Sequence, residues 1–226
     1  MRKINVLITG VTGMIGEGLL HQCLHHDKIG KVITLTRRAS GYTHPKLIEI
    51  IHSDLSDISA LKDSLTACDA CYYCIGSTSI GKTEAQYRDE NYTLPLNFAS
   101  SLLNINPDMT FCYISGVGTD TTEQGRLMWA RVKGKTENDL LKLPFSEVYN
   151  IRPAGLIPFL PLRPTQTYYK TYKYFKWLML SLSPLLPNSI MNLSVLTSAL
   201  INVALLGYSK NVLEPNDIRI LASRHA

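Results

Sequence analysis

Short apolar runs separated by mixed stretches of helical periodicity recur along the chain at a steady rhythm. INVLIT, ending at Thr9, is the kind of run that fills a strand buried on both faces. The glycine-rich GVTGMIGEG leads from it toward a helix expected over about Leu19 to His26. KVITLT, from Lys31 to Thr36, is a second strand, and LIEIIHSDL a third. CDACYYCIG, MTFCYISGVG and FSEVYNIRPAGL supply a fourth, fifth and sixth. Between them DISALKDSL, the stretch from Thr83 to Leu103 and the segment around WARVK carry apolar positions at helical spacing. Strands alternating with helices in this way predict an α/β fold, a doubly wound parallel sheet covered on both faces. The chain reads as one domain over 1–226, with residues from about 155 onward forming most of a small substrate lobe.

Composition changes this picture little. Hydrophobic residues make up 45% and charged ones 18% of 226, an ordinary globular balance. A net charge of +5 suits a phosphate-bearing ligand but is too dispersed to argue for nucleic acid. Five cysteines, an odd number, and a start that runs straight into a strand point to free thiols in a reducing cytoplasm. Cys68, Cys71 and Cys74 are spaced like metal ligands, yet Cys71 and Cys74 fall on opposite faces of one strand. Small buried hydrophobes are the better reading, and no metal site is expected. FKWLMLSLSPLLP and SVLTSALINVALLGY are too short to cross a bilayer; the second reads as a buried helix and EPNDIRILA as a final surface element.

The chemistry begins at the first turn. Gly10, Gly13 and Gly16 are spaced GxxGxxG, with Thr12, Met14 and Ile15 among them, directly after a strand and before a helix. Glycines there permit a tight turn and let main chain approach a pyrophosphate that faces the helix N-terminus. About twenty residues on, a carboxylate would bind the ribose 2′-hydroxyl of NAD. This strand ends instead in Thr36, Arg37 and Arg38. Guanidiniums suit a 2′-phosphate, so NADP is the expected cofactor and NAD the less favoured one.

On these motifs the chain resembles the extended or atypical short-chain dehydrogenase/reductases, in particular their small NAD(P)-binding, nucleoside-diphosphate-sugar epimerase-like members. TGVTGMIG matches the TGxxGxxG form used there, and the likeness runs over nearly the whole chain. The resemblance implies that Asp54 and Leu55 contact the adenine, and that Cys74, Ile75, Gly76 and Ser77 line the middle of the cofactor. It matches Asn91 to an asparagine of the following helix, and Ser115 to a serine that polarises a substrate carbonyl. It implies that Arg152 and Pro153 belong to a loop closing over the nicotinamide, and that dimers form through helices near 84–103 and 127–142.

One position departs from the family pattern. Lys133 matches the lysine of YxxxK, but Trp129 stands where the tyrosine belongs. An indole donates one hydrogen bond and offers no acid–base chemistry. Of the lysine's two implied roles, lowering a phenol's pKa and binding the nicotinamide ribose, only the second survives. Tyr87, Tyr92, Tyr113 and the tyrosines of 168–174 remain as other proton donors, Tyr113 sharing a strand face with Ser115. A plain amphipathic helix pairing Lys133 with Glu137 is the competing reading. Gly134, costly inside a helix, argues for close approach to another helix or to the cofactor.

The tail segment TYYKTYKYFKWLML sets Lys170, Lys173 and Lys176 among aromatics. It reads as a substrate-lobe helix, a pocket for a phosphorylated substrate, or a basic helix lying on a membrane. Two functions stay open. One is an NADP-dependent oxidoreductase or epimerase acting on a small carbonyl, hydroxyl or nucleotide-sugar-like substrate, with Ser115, Lys133 and Trp129 in its site. The other is a silent cofactor-reading protein that works through a partner.

Overall fold

The computed structural model describes residues 2–161, 177, 181 and 189–224. Strands β1 (Ile4–Thr9), β2 (Ile29–Thr36), β3 (Leu47–Ile51), β4 (Ala70–Tyr73), β5 (Thr110–Ile114) and β6 (Glu147–Ile151) pair in parallel. β7 (Gly155–Ile157) and β8 (Ile190–Asn192) form a separate parallel pair, while β9 (Val212–Leu213) joins the main sheet. The order is β3-β2-β1-β4-β5-β6-β9, a doubly wound sheet as the rhythm predicts.

The two-residue period of a strand divides the core. Val6, Ile8, Tyr72, Cys112 and Tyr149 face one way, onto α1 (Met14–His25) and the C-terminal helices. Leu7, Cys71, Tyr73, Phe111 and Tyr113 face the other, onto residues such as Phe98 and Leu140. Cys74 packs with the first set and Cys71 belongs to the second, as their odd spacing requires.

Helix α1 begins at Met14, five residues before the expected start near Leu19. The reason is packing: Gly16 already lies in the helix, against the turn at Gly10. DISALKDSL forms a 3-10 turn, Ser59–Leu61, running into the short α2 (Lys62–Leu65). The single helix expected over 83–103 is broken in three: α3 (Glu84–Arg88), a π turn (Asp89–Thr93) and α4 (Leu94–Ile105). Pro95 explains the break, because it has no N–H to give the Asn91 carbonyl four residues earlier. That carbonyl accepts instead from Thr136 Oγ1 at 2.7 Å and Tyr113 Oη at 3.3 Å. The π turn is thereby fastened to β5 and to α5 (Met128–Leu140).

Beyond 155 the described helices pack on the main sheet's core, while β7 and β8 pair apart from it. α6 (Leu193–Leu206) packs on α1 within the first core cluster. α7 (Pro215–Ala222), expected as a surface element, buries Ile218 and Leu221 there as well. Nearly all of the lysine- and tyrosine-rich tail segment lies outside the described residues.

Gly134 meets neither another helix nor the cofactor loop but the main chain of the segment that follows β5. A β-carbon there would sit 1.7 Å from the Asp120 carbonyl oxygen. Asp120 N–H in turn donates to Ala130 O at 3.1 Å, so this loop lies flat on α5. Gly134→Ala is expected to lower stability by about 2 kcal/mol or more despite alanine's better helix propensity, read from the urea midpoint.

Candidate active site

The first turn is built from main chain packed on main chain. Gly10 adopts φ +68°, and a β-carbon on it would lie 2.7 Å from Cys74 O. One on Gly16 would lie 2.3 Å from Gly10 O. Gly13 N–H donates to Gly10 O at 2.9 Å, and Gly13 then caps α1 with no side chain over its first amides. Thr9 Oγ1 accepts from Cys74 N–H at 3.2 Å, holding the ends of β1 and β4 together. The open amides face a cavity of about 490 Å³ that Gly10, Thr12 and Gly13 line on one side. A narrow glycine turn with an uncapped helix start fits a dinucleotide's pyrophosphate.

At the far end of the cavity, Leu35, Thr36, Arg37 and Arg38 line the wall. Thr36 Oγ1 donates to Arg38 O at 2.8 Å, tightening the turn that leaves both guanidiniums exposed. Ser53 and Leu55 line the same end, but Asp54 does not. Its carboxylate accepts from Ser56 N and Oγ at 2.8 and 2.6 Å, which holds its pKa below the usual range. Ser53 was not legible as a lining residue, since a lone serine beside a strand end carries no signal. Cys74, Ile75 and Gly76 form the opposite wall, as their place after β4 implies. Ser77 lies just beyond, its N–H and Oγ bonded by the Asn91 side chain at 3.3 and 2.8 Å. Met14 and Ile15 pack against the core and are not among the cavity's lining residues.

The third group gathers at the end of β5. Lys133 Nζ, half-buried, donates to Ser115 O at 2.7 Å and lies 5.9 Å from the centre of the Tyr113 ring. Trp129, one turn earlier on α5, stands beside Gly118, where a β-carbon would lie 3.4 Å from the indole. Burial pulls the Lys133 pKa down to about 8, with Glu137 drawing it partly back.

Glu137 does not give its carboxylate to Lys133 through a hydrogen bond. Fully buried, it accepts from Arg152 Nε at 3.0 and 3.2 Å, from Arg152 Nη2, and from Ser115 Oγ at 2.5 Å. Arg152 Nη1 reaches Glu214 at 2.8 Å. The Ser115 hydroxyl, expected to face a substrate carbonyl, is therefore turned inward, because a buried carboxylate draws every nearby donor. Arg152 is pinned between two carboxylates, while Pro153 O accepts from Val117 N–H at 3.0 Å. Of the candidate phenols, Tyr113 bonds Asn91 O and its pKa is pushed well above normal by burial. Tyr92 donates to Asp139 at 2.9 Å, and the tyrosines near 168–174 lie outside the described residues.

A family model described as NAD dependent epimerase/dehydratase matches residues 6–125, more than half of the chain. The chain belongs to that family. Its members are NAD(P)-dependent oxidoreductases and epimerases, which supports a nicotinamide cofactor for this chain. The matched span ends just before α5, so it carries nothing about Trp129 or Lys133. Protein Fmp52-1, mitochondrial, of Aspergillus oryzae is 29% identical over 159 residues, covering 68% of this chain and 66% of that one. The chain thus spans just under two thirds of that relative's length.

Among solved structures, a short chain dehydrogenase/reductase from Saccharomyces cerevisiae superposes with a TM-score of 0.66 at 15% identity, covering 97% of this chain and 98% of that one. The Bordetella bronchiseptica enzyme WbmF in complex with NAD+ gives 0.67 at 14%, covering 98% and 77%. These two establish the fold. The cytoplasmic expectation is corrected, since the Fmp52 relatives carry mitochondrial names. Free thiols speak for a reducing setting and do not choose among compartments that keep thiols reduced.

The buried cluster makes a sharp stability test. Glu137→Gln leaves Arg152 without its main counter-charge and should cost about 3–5 kcal/mol in denaturant unfolding. Glu214→Gln, at the half-exposed end of the same chain of bonds, should cost well under half of that.

Proposed function

We propose that the chain binds NADP(H) and acts as an oxidoreductase or epimerase on a small carbonyl, hydroxyl or nucleotide-sugar-like substrate. One observation carries the cofactor half: main chain crowds main chain at Gly10 and Gly16, while the cavity wall beyond β2 presents Arg37 and Arg38 and no carboxylate. The cofactor, when bound, gives or takes hydride at its nicotinamide. The chain's residues do the rest. The α1 amides and Gly13 hold the pyrophosphate. Arg37 and Arg38 hold the 2′-phosphate as a fork that carries permanent charge. Leu35, Ser53 and Leu55 bracket the adenine end, with Asp54 bracing the turn. Lys133, anchored on Ser115 O, binds the nicotinamide ribose. Ser115 and Arg152 set the floor of the site through Glu137.

Trp129 favours a second reading, in which the protein binds the cofactor without turnover and signals through a partner. The indole supplies no proton where the resemblance expects a phenol. The relatives' names support a mitochondrial setting in either case.

Calorimetry and a substrate panel separate the readings. NADPH should bind more tightly than NADH, and carbonyl compounds or nucleotide sugars should drive NADPH oxidation. Tight binding with no turnover on any of them would favour the silent reading. Arg37→Asp should weaken NADPH by about tenfold or more, the worth of one charge-assisted hydrogen bond, and leave NADH nearly unchanged. An unaltered NADPH/NADH ratio would pass that role to Arg38.

A further inference from the structure

Reducing a carbonyl by hydride leaves an oxygen that must take up one proton, and the reverse reaction must remove one. The hydroxyls around the end of β5 are already committed. Ser115 Oγ has a single proton, held between Glu137 at 2.5 Å and Ile151 O at 3.1 Å. Tyr113 donates to Asn91 O from inside the core, and Tyr92 donates away from the site to Asp139. Trp129 has only an indole N–H. Lys133 is different: its ammonium carries three protons, and its described hydrogen bond, to Ser115 O at 2.7 Å, uses one. It stands one turn from Trp129 on the same helix face, and its bond to Ser115 O sets it just past β5, on the same edge of the parallel sheet as the glycine turn after β1.

We propose that Lys133 is itself the proton donor and acceptor of the reaction, a role that rests on the nicotinamide-enzyme reading above. In the reducing direction a hydride forms the new C–H bond at the carbonyl carbon. The π electrons of C=O move to oxygen, and the oxygen takes a proton from the Lys133 ammonium. The neutral amine then regains a proton from water. No redox partner beyond the nicotinamide is needed.

The surroundings suit this task. Burial disfavours the ammonium and brings its pKa to about 8, within the range where an amine both gives and takes protons near neutrality. The charged and titratable groups that face it are few. Glu137 on its own helix raises the value, but shares its carboxylate with Arg152 from the end of β6. Tyr113 from β5, whose ring lies 5.9 Å from Nζ, is a buried phenol whose pKa burial pushes well above normal. The ammonium is the reactive form for reduction. Reduction should therefore slow as pH rises through about 8 while alcohol oxidation gains, the opposite limb.

The test begins without cofactor. Protein carrying 13C at lysine ε-carbons is titrated by NMR, the Lys133 signal being assigned by its loss in Lys133→Arg. A midpoint near 8 is expected; one in the ordinary lysine range of about 10.4 overturns the proposal. Lys133→Arg then keeps a cation and donors for Ser115 O and for a ribose, but cannot release a proton. NADPH affinity of this variant should stay within about threefold, while turnover falls by about 10²–10⁴-fold. Turnover within about threefold of the parent protein overturns the proposal, as does NADPH binding by the parent with no turnover at all. Failure of the parent to bind NADPH sinks the cofactor reading instead, a result told apart by calorimetry alone.

Discussion

Contact between main-chain atoms at the end of β1 is the constraint from which the site follows. A helix can start so close to the strand before it only where two residues lack a β-carbon, and those residues are Gly10 and Gly16. Their absence of side chains also pulls the end of β4 into contact, through Gly10 with Cys74 and Thr9 with Cys74. Two consequences come together. The first amides of α1 are left without a cap, and the wall at Cys74–Gly76 is set beside the glycine turn. Widening that contact by one methyl group would disturb both at once.

The other end of the site depends on a different kind of interaction. Glu137 is a fully buried carboxylate, and burial of an unpaired charge is too costly to persist. Its partners Ser115, Arg152 and, through Arg152, Glu214 come from β5, the end of β6 and the start of α7. One charge thereby fixes the relative placement of elements far apart in the chain. It also fixes what Ser115 can do. With its proton directed at Glu137, the serine offers its carbonyl to Lys133 and not its hydroxyl to a substrate. Such a cluster adds little net stability over apolar packing, so its worth lies in geometry.

Much of the fold was legible because parallel strands buried on both faces leave near-continuous apolar runs, and six of the seven strands of the main sheet announce themselves that way. β9, only two residues long, has no period to read. The glycine turn was legible from spacing and context, and the cavity forms around it. Elsewhere the residue type was visible but its direction was not. Asp54 turns to Ser56, Ser115 to Glu137 and Arg152 to two carboxylates, since each follows partners brought in from distant elements. The π turn could have been anticipated from Pro95, whose missing N–H falls opposite Asn91 in helical count. Gly134 signalled a close approach, and the neighbour it admits is the Asp120 loop.

That loop bears on the chemistry at α5. Because Asp120 lies against Gly134 and Gly118 against Trp129, the segment after β5 covers the start of α5, the helix that carries Lys133. Desolvation is the larger influence on Lys133, with the charge of Glu137 opposing it. An amine in this setting differs from a surface lysine in the free energy of its charged form, by about 1.4 kcal/mol for each pKa unit. An indole one turn away on the helix offers no competing acid, whereas a phenol there would share the proton. Under the role proposed for Lys133, a tryptophan at 129 leaves the amine without a rival proton donor one turn away.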